Sequence, residues 1–287
     1  MDLSSKLRRK TDTHKGDYGH VLIVGGSSGL TGAVCLAGRS CLKSGAGLVT
    51  AGVPESLNTI FETKLTEVMT LCLPCERGCL SQSAFPLLSK FIEKIDVLVL
   101  GPGASLSKTT QVLMRKIISQ INKPMVIDAD AITALSFDLS ILDKRKAKDI
   151  VLTPHLGEFS RLIKKDKQVI KKKRKELVKN FSIRYNLSLV LKGHRTLISS
   201  ANKLIENKTG NPGMATAGMG DVLSGIIAAF IAQGFNAHEA AKTAVYLHGL
   251  AADLAVKDKT ENCLIASDVI DYLPKAFKAF YKKRYQG

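Results

Sequence analysis

Short, largely apolar runs recur along this chain, and each is closed by a polar or glycine-rich turn. Val21–Val24 (VLIV) runs into GGSSGLTG and Asp96–Leu100 (DVLVL) into GPG. Pro124–Asp128 (PMVID) runs into ADA, Ile150–Thr153 into PHLGE, and Leu187–Leu191 (LSLVL) into KGHRT. A short apolar run with no in–out alternation is the pattern of a strand buried on both faces, as in a parallel sheet covered by helices. Leu48–Val53 and Val68–Leu73 read as further strands, and Thr196–Ser199 and Lys203–Glu206 flank Ser200-Ala201-Asn202 as a hairpin. Between these runs lie helical patterns: one that follows GGSSGLTG and runs to about Ser44, then Ala84–Lys94, Lys108–Gln120, Gly157–Ile163 and Lys167–Arg184. From Asp221 onward the chain is helical in three segments, with Gly234 as a C-cap of the first and Ser267 as an N-cap of the last. The expected fold is α/β: three layers, α/β/α, around a mainly parallel central sheet, as one domain over residues 1–287. No internal repeat or low-complexity linker interrupts the alternation.

Composition agrees. Hydrophobic residues make up 45% of the 287, enough for a large core, and Trp is absent, so Leu, Ile, Val and Ala supply the apolar mass. No apolar run approaches the roughly 20 residues that span a bilayer, and the basic N-terminus lacks the apolar core of a signal peptide. A cytoplasmic protein without a membrane partner is expected. The formal net charge is +17, and Lys164–Lys179 holds nine basic and two acidic side chains. Such a run is either a nucleic-acid patch or a solvated helix face. Val169, Ile170, Leu177 and Val178 mark one buried stripe, which favours the solvated face and no nucleic-acid partner. A positive field of this size still attracts small anions. Cys35 and Cys41 sit in an Ala-rich helical pattern as small core residues. Cys72, Cys75 and Cys79 (CLPCERGC) have spacing seen in metal sites, but no fourth ligand follows, and free thiols are expected.

The turns after the strands carry the polar residues, and in parallel sheets ligands bind at that edge. The densest is Gly213–Gly225, GMATAGMGDVLSG. Glycines there allow close backbone approach, and a helix opening at Met219–Asp221 aims free N–H groups and its positive dipole end at an anion. Asp221 would sit beside that anion and could take a proton from an attacking hydroxyl; the alternative is a plain helix cap. His155 in TPHLGE, with Glu158 three residues on, could bond a ligand or shuttle a proton, or simply cap and pack. His248 in VYLHGLAAD reads as a structural residue. Asp128 and Asp130 could hold Mg²⁺, or Asp130 could cap the next helix. Lys192 to Thr196 (KGHRT) suits a nucleotide phosphate or base edge, or is a strand-to-hairpin turn. No P-loop is present, and GGSSGLTG is not GxGxxG.

Taken in order, KGDYGHVLIVGGSSGLTGA, CLKSGAGLVTAG, VLGPG, VIDADA, LTPHLGEFSRL, LVLKGHRT, TGNPGMATAGMGDVLSG and VYLHGLAAD resemble the ADP-dependent NAD(P)H-hydrate dehydratase family, which has the ribokinase-like fold. The resemblance covers about Lys15 to Leu273. It implies that ADP and the 6-hydroxylated, hydrated nicotinamide cofactor give NADH or NADPH, AMP and phosphate. It also implies that Asp221 is the catalytic base and touches the hydrated cofactor, together with Ala33, Gly103 and His155. Lys192, Gly193, His194, Arg195, Thr196 and Gly220 would contact the nucleotide. Phosphoryl-transfer chemistry leads to Mg²⁺ as the expected cofactor with no ligand set assigned; a homotetramer is the implied assembly, and a separate NAD(P)H-hydrate epimerase the expected companion. The family commonly reads GGTGD where this chain has Ala217-Gly218-Met219-Gly220-Asp221, so one hydroxyl is replaced by Met219. The other expectation is an ATP-dependent ribokinase-like kinase of a vitamin-precursor alcohol, which would use the same Gly-Asp site.

Overall fold

The computed structural model describes Leu7, Arg9 and residues 11–285. Among the described residues eleven strands form: β1 His20–Val24, β2 Leu48–Pro54, β3 Met69–Leu73, β4 Cys75–Glu76, β5 Cys79–Leu80, β6 Val97–Leu100, β7 Met125–Ile127, β8 Ile150–Leu152, β9 Ser188–Leu191, β10 Leu197–Ser200 and β11 Lys203–Glu206. Nine of them make one sheet in the order β11-β10-β9-β8-β7-β6-β1-β2-β3. Neighbours from β3 to β9 pair in parallel, while β10 runs antiparallel to both β9 and β11. The expected architecture, three layers with a mainly parallel sheet, is therefore observed.

The strand pattern assigns the two faces. Val21 and Ile23 of β1 face one helical layer, whose core includes Val222, Ile226 and Phe230 of the helix Met219–Ala232. Leu22 and Val24 face the other, with Leu113, Ile132 and Phe159. All four β1 residues are fully buried, which is why β1 lacks polar alternation.

Chain order reverses at β1, which lies between β2 and β6. Successive connections leave β1 toward β2 and β3, and from β6 onward they run the other way. The crevice at the carboxyl ends of β1 and β6 is thus the switch point at which parallel sheets take ligands.

Some elements differ from the sequence reading. Lys167–Arg184 is two helices, Lys167–Lys172 and Arg174–Arg184, parted at Lys173, whose φ −113° and ψ 27° leave helical geometry. The last helix opens at Ala266 rather than after Ser267, with Asp268 accepting from the N–H of Ile265. Gly234 follows the helix end with φ 86°, a conformation that favours glycine. The expected hairpin is observed, but its turn is only Ala201-Asn202, because Ser200 joins β10 and pairs with Lys203. In the β4–β5 hairpin Cys75 pairs with Leu80 and Cys79 with Glu76, so the two thiols leave opposite faces. Cys35 and Cys41 are buried in the core.

Candidate active site

Backbone hydrogen bonds stitch the post-strand turns into one surface. Gly26 N–H donates to Pro102 carbonyl, and the Ser27 hydroxyl donates to Gly103 carbonyl at 2.9 Å. Gly101 N–H donates to Val24, Asp128 N–H to Leu100, Thr153 N–H to Ile127, and Lys192 N–H to Pro154 at 2.8 Å. The turns after β1, β6, β7, β8 and β9 are adjacent because their strands are. Gly103 has φ 58°, and a Cβ there would lie 2.5 Å from Leu30 carbonyl and 3.1 Å from Ala33 Cβ. Ala33, in the first turn of the helix Thr31–Lys43, and Gly103 are thereby brought together across the switch point.

The helix Met219–Ala232 starts at Gly218, which has φ 87° and no side-chain cap. Its first-turn N–H groups and dipole face the site without a protein acceptor from the cap position, which suits an anion. Asp221 lies in this first turn, half-buried. Burial, then repulsion from Asp128, pushes its carboxyl up to about 7 against the opposing pull of Lys192. Met219, standing where the family commonly has a hydroxyl, is buried in the core.

Close packing holds this helix. A Cβ on Gly225 would lie 2.2 Å from both Ala37 carbonyl and Ser40 Oγ, and the Ser40 hydroxyl donates to Val222 carbonyl at 3.0 Å. A Cβ on Gly220 would approach Lys192 Nζ at 3.0 Å and Asp128 Oδ2 at 3.6 Å. The glycines of GDVLSG therefore let the helix mouth sit directly over a buried ion pair.

That pair answers the open question about Asp128. Its Oδ1 accepts from Lys192 Nζ at 2.6 Å and its Oδ2 from Ser224 Oγ at 2.7 Å. Burial alone would raise the Asp128 carboxyl, but Lys192 and Ser224 outweigh it and hold the group below its ordinary value. Burial would lower Lys192, but the charges of Asp128, Glu158 and Asp221 hold it above its usual value. Both Asp128 oxygens are thus engaged. Asp130 lies in the first turn of the helix Ala129–Ser136, and its Oδ2 accepts from Ser105 N–H at 2.8 Å; Asp128 holds the N-cap position. Among the described residues no group of three His, Cys, Asp or Glu side chains is placed to hold a metal ion.

His155 is the N-cap of the helix Leu156–Ile163. Its Nδ1 accepts from Gly157 N–H at 2.9 Å and Glu158 N–H at 3.2 Å, and Glu158 Oε2 accepts from His155 N–H at 2.7 Å. An Nδ1 that accepts two N–H bonds carries no proton, so the ring is the Nε2–H tautomer. Nε2 lies 3.5 Å from Glu158 Oε1. Burial, then the positive charge of Lys192 and Arg161, lowers the His155 pKa. Burial also lifts the Glu158 carboxyl to about 7. The ring is 54% exposed, so capping through Nδ1 leaves the Nε2 edge accessible from solvent. His248 is buried, its pKa lowered to about 4 by burial, as a structural residue would be.

Gly193 to Thr196 form the turn into β10, with Gly193 at φ 138° and Arg195 at φ 52°. His194 and Arg195 are exposed, and the Thr196 hydroxyl donates to Gly193 carbonyl at 2.9 Å. Lys192 begins the turn, but its ammonium points to Asp128. Asn211, Gly210 and Asp253 brace the loop before Asp221: Asp253 accepts from Gly210 N–H at 2.9 Å and from Asn211 Nδ2 at 3.0 Å. Sequence reasoning passed over Ser224 and Asp253. Ser224 lies three residues after Asp221, one turn along the same helix, and that spacing was its available signal.

Comparison with known proteins bears on this site. A family model described as NAD(P)H-hydrate dehydratase matches residues 21–275. The bifunctional NAD(P)H-hydrate repair enzyme of Moorella thermoacetica is 44% identical over 93% of this chain and 51% of its own length. The chain spans about half the length of the bifunctional relatives it matches. The ADP-dependent (S)-NAD(P)H-hydrate dehydratase of Enterococcus faecalis is 32% identical over 95% of this chain and 89% of its own. The ADP/ATP-dependent NAD(P)H-hydrate dehydratase of Bacillus subtilis, co-crystallized with ATP/Mg²⁺, superposes with a TM-score of 0.80 at 28% identity, covering 95% of this chain and 94% of that one. With the family model spanning nearly all of the sheet and its surrounding turns, this chain belongs to the NAD(P)H-hydrate dehydratase family.

Proposed function

We propose that this protein dehydrates (S)-NAD(P)H-hydrate to NAD(P)H at the expense of ADP, releasing AMP and phosphate. The observation that carries the reading is Asp221: a half-buried carboxyl in the first turn of an uncapped helix, its pKa raised to about 7. In that range it can accept a proton at neutral pH, and the adjacent N–H groups suit phosphoryl oxygens.

The chemistry follows from bond polarity. Asp221 takes the proton of the C6 hydroxyl as its oxygen attacks the β-phosphorus of ADP, and the bond to the bridging oxygen breaks to release AMP. The hydroxyl is now a phosphate ester on carbon beside the ring nitrogen. The nitrogen lone pair expels phosphate, and proton loss from the neighbouring carbon restores the dihydropyridine. His155, held as the Nε2–H tautomer, contributes a neutral donor to an oxygen of the hydrated cofactor. Ala33 and Gly103 line the switch-point crevice on that side, while Gly193 to Thr196 and Gly220 meet the nucleotide.

No protein cage for Mg²⁺ fits these residues, since both Asp128 oxygens are engaged and Asp130 accepts a backbone N–H. Residues 1–287 act as one domain in this reading, supported by the single nine-stranded sheet. Cytoplasmic location is supported by the polar dinucleotide substrates of this reading. A homotetramer and a companion epimerase are supported by family resemblance. The vitamin-precursor kinase is less supported, because the matching family model is that of the dehydratase.

The test is direct. Purified protein is mixed with hydrated cofactor and either ADP or ATP, and the reduced-nicotinamide absorbance is followed. Return of absorbance with nucleotide supports the reading, and silence with both nucleotides rejects it.

A further inference from the structure

The basic run Lys164–Lys179 has no part in the chemistry above, yet one member reaches the nucleotide turn. Arg174 opens the helix Arg174–Arg184. Its Nη1 donates to His194 carbonyl at 2.9 Å and its Nη2 to Arg195 carbonyl at 2.8 Å. Burial lowers its pKa somewhat, although Glu206 opposes this, and the guanidinium keeps its charge. We infer that Arg174 is a positioning residue that sets the backbone of Gly193–Thr196 for ADP, an inference that rests on the nucleotide reading of that turn.

A trans peptide is planar, and its N–H points opposite its C=O. Pulling His194 carbonyl toward Arg174 turns Arg195 N–H to the other side of the turn, and pulling Arg195 carbonyl does the same for Thr196 N–H. The turn needs such a restraint. Gly193 at φ 138° and Arg195 at φ 52° both lie in the left-handed half of backbone space, which costs energy for a side-chain-bearing residue such as Arg195. Two parallel N–H bonds from one planar fork fix a pair of carbonyls better than a single ammonium does. A second brace lies alongside. Glu206 of β11 accepts from Arg195 Nη1 at 3.2 Å and pairs with Lys175 Nζ at 3.1 Å. The first turn of this helix therefore grips the nucleotide turn through both backbone and side chain. The neighbouring Lys171, Lys172 and Lys173 are exposed and supply general positive field only.

The experiment compares full-length Arg174→Ala, Arg174→Lys, Lys172→Gln and Thr196→Val proteins. KM for ADP, KM for the hydrated cofactor and kcat are measured, with ADP binding by calorimetry and Tm alongside. For Arg174→Ala, KM for ADP and the calorimetric Kd rise about tenfold, while KM for the hydrate stays within about twofold. Arg174→Lys restores less than half of the loss, because one ammonium cannot span two carbonyls. Lys172→Gln, which removes a charge without touching the turn, leaves ADP affinity within about twofold. A parallel rise in both KM values, or equal losses in Lys172→Gln and Arg174→Ala, overturns the positioning role. If Thr196→Val weakens ADP and Arg174→Ala does not, the positioning role alone fails. If neither weakens it, the nucleotide reading of the turn fails with it.

Discussion

Lys192 Nζ lies 2.6 Å from Asp128 Oδ1, across 64 residues of chain and directly beneath the mouth of the helix that carries Asp221. The pair joins the carboxyl ends of β7 and β9 under the proposed phosphoryl site. Its positive member is in electrostatic reach of Asp221 and Glu158, the two carboxyls whose pKa values burial lifts to about 7. The ammonium limits how far those two groups rise, and Asp128 limits how strongly it can attract them.

Breaking the pair on one side leaves a buried, uncompensated charge. Lys192→Met is expected to destabilise the fold by about 3–5 kcal/mol, measured by chemical denaturation at neutral pH. A loss below about 1 kcal/mol would show that Asp128 finds another partner.

Asp221→Asn keeps the shape and removes the proposed base. Turnover with hydrated cofactor and ADP is expected to fall on the order of 10²–10⁴-fold, with a small change in nucleotide affinity. Near-normal turnover removes Asp221 from the role of base.

The same carboxyl makes activity and stability depend on pH in opposite directions. As a base it must be ionised, so kcat/KM should rise with pH through about 7 and level off above. Its folded pKa is above the unfolded value, so the folded state binds a proton between 3.8 and about 7 where the unfolded chain does not. This group's contribution to stability is therefore present at low pH and lost as pH rises through that window. Asp221→Asn should be more stable than the parent at pH 8, on the order of 1 kcal/mol, with the gap closing toward pH 4. Denaturation curves at the two pH values check the sign.

His155 separates capping from ligand contact. His155→Asn keeps an acceptor for the helix N–H groups and loses the Nε2–H. It should keep Tm close to the parent while raising KM for the hydrated cofactor about tenfold. His155→Ala should lose about 1 kcal/mol of stability as well. Equal KM values in parent and Asn variant would confine His155 to capping.

Gly225→Ala tests the helix seat. A methyl 2.2 Å from Ala37 carbonyl forces backbone movement rather than a side-chain turn. A loss of about 1–3 kcal/mol is expected, with lower turnover because the Asp221 helix shifts. Unchanged Tm and turnover would show that the two helices part freely.

The layers, and the edge at which the polar turns gather, were legible in the residue pattern alone. Runs such as VLIV and DVLVL are apolar on both faces, and only a sheet covered on both sides buries them without cost. The turns that follow such strands must gather at one edge, so GPG, PHLGE and KGHRT are readable as one surface from their places in the chain. Elements too short for a period escaped: the helices Asn58–Lys64 and Ile141–Lys144 and the two-residue strands β4 and β5 span at most two turns or a single pleat. The break at Lys173 escaped as well, because lysine is a good helix former and nothing local forbids continuing. Tertiary structure alone decided which polar groups pair. Asp128 read equally well as a metal ligand until strand order set β9 two places from β7 and Lys192 at its side. Arg174 was one charge in a basic run until its helix packed beneath the turn after β9. Periodicity reports the face a residue occupies, whereas partners are set by which strand ends become neighbours, and that is a property of the assembled sheet.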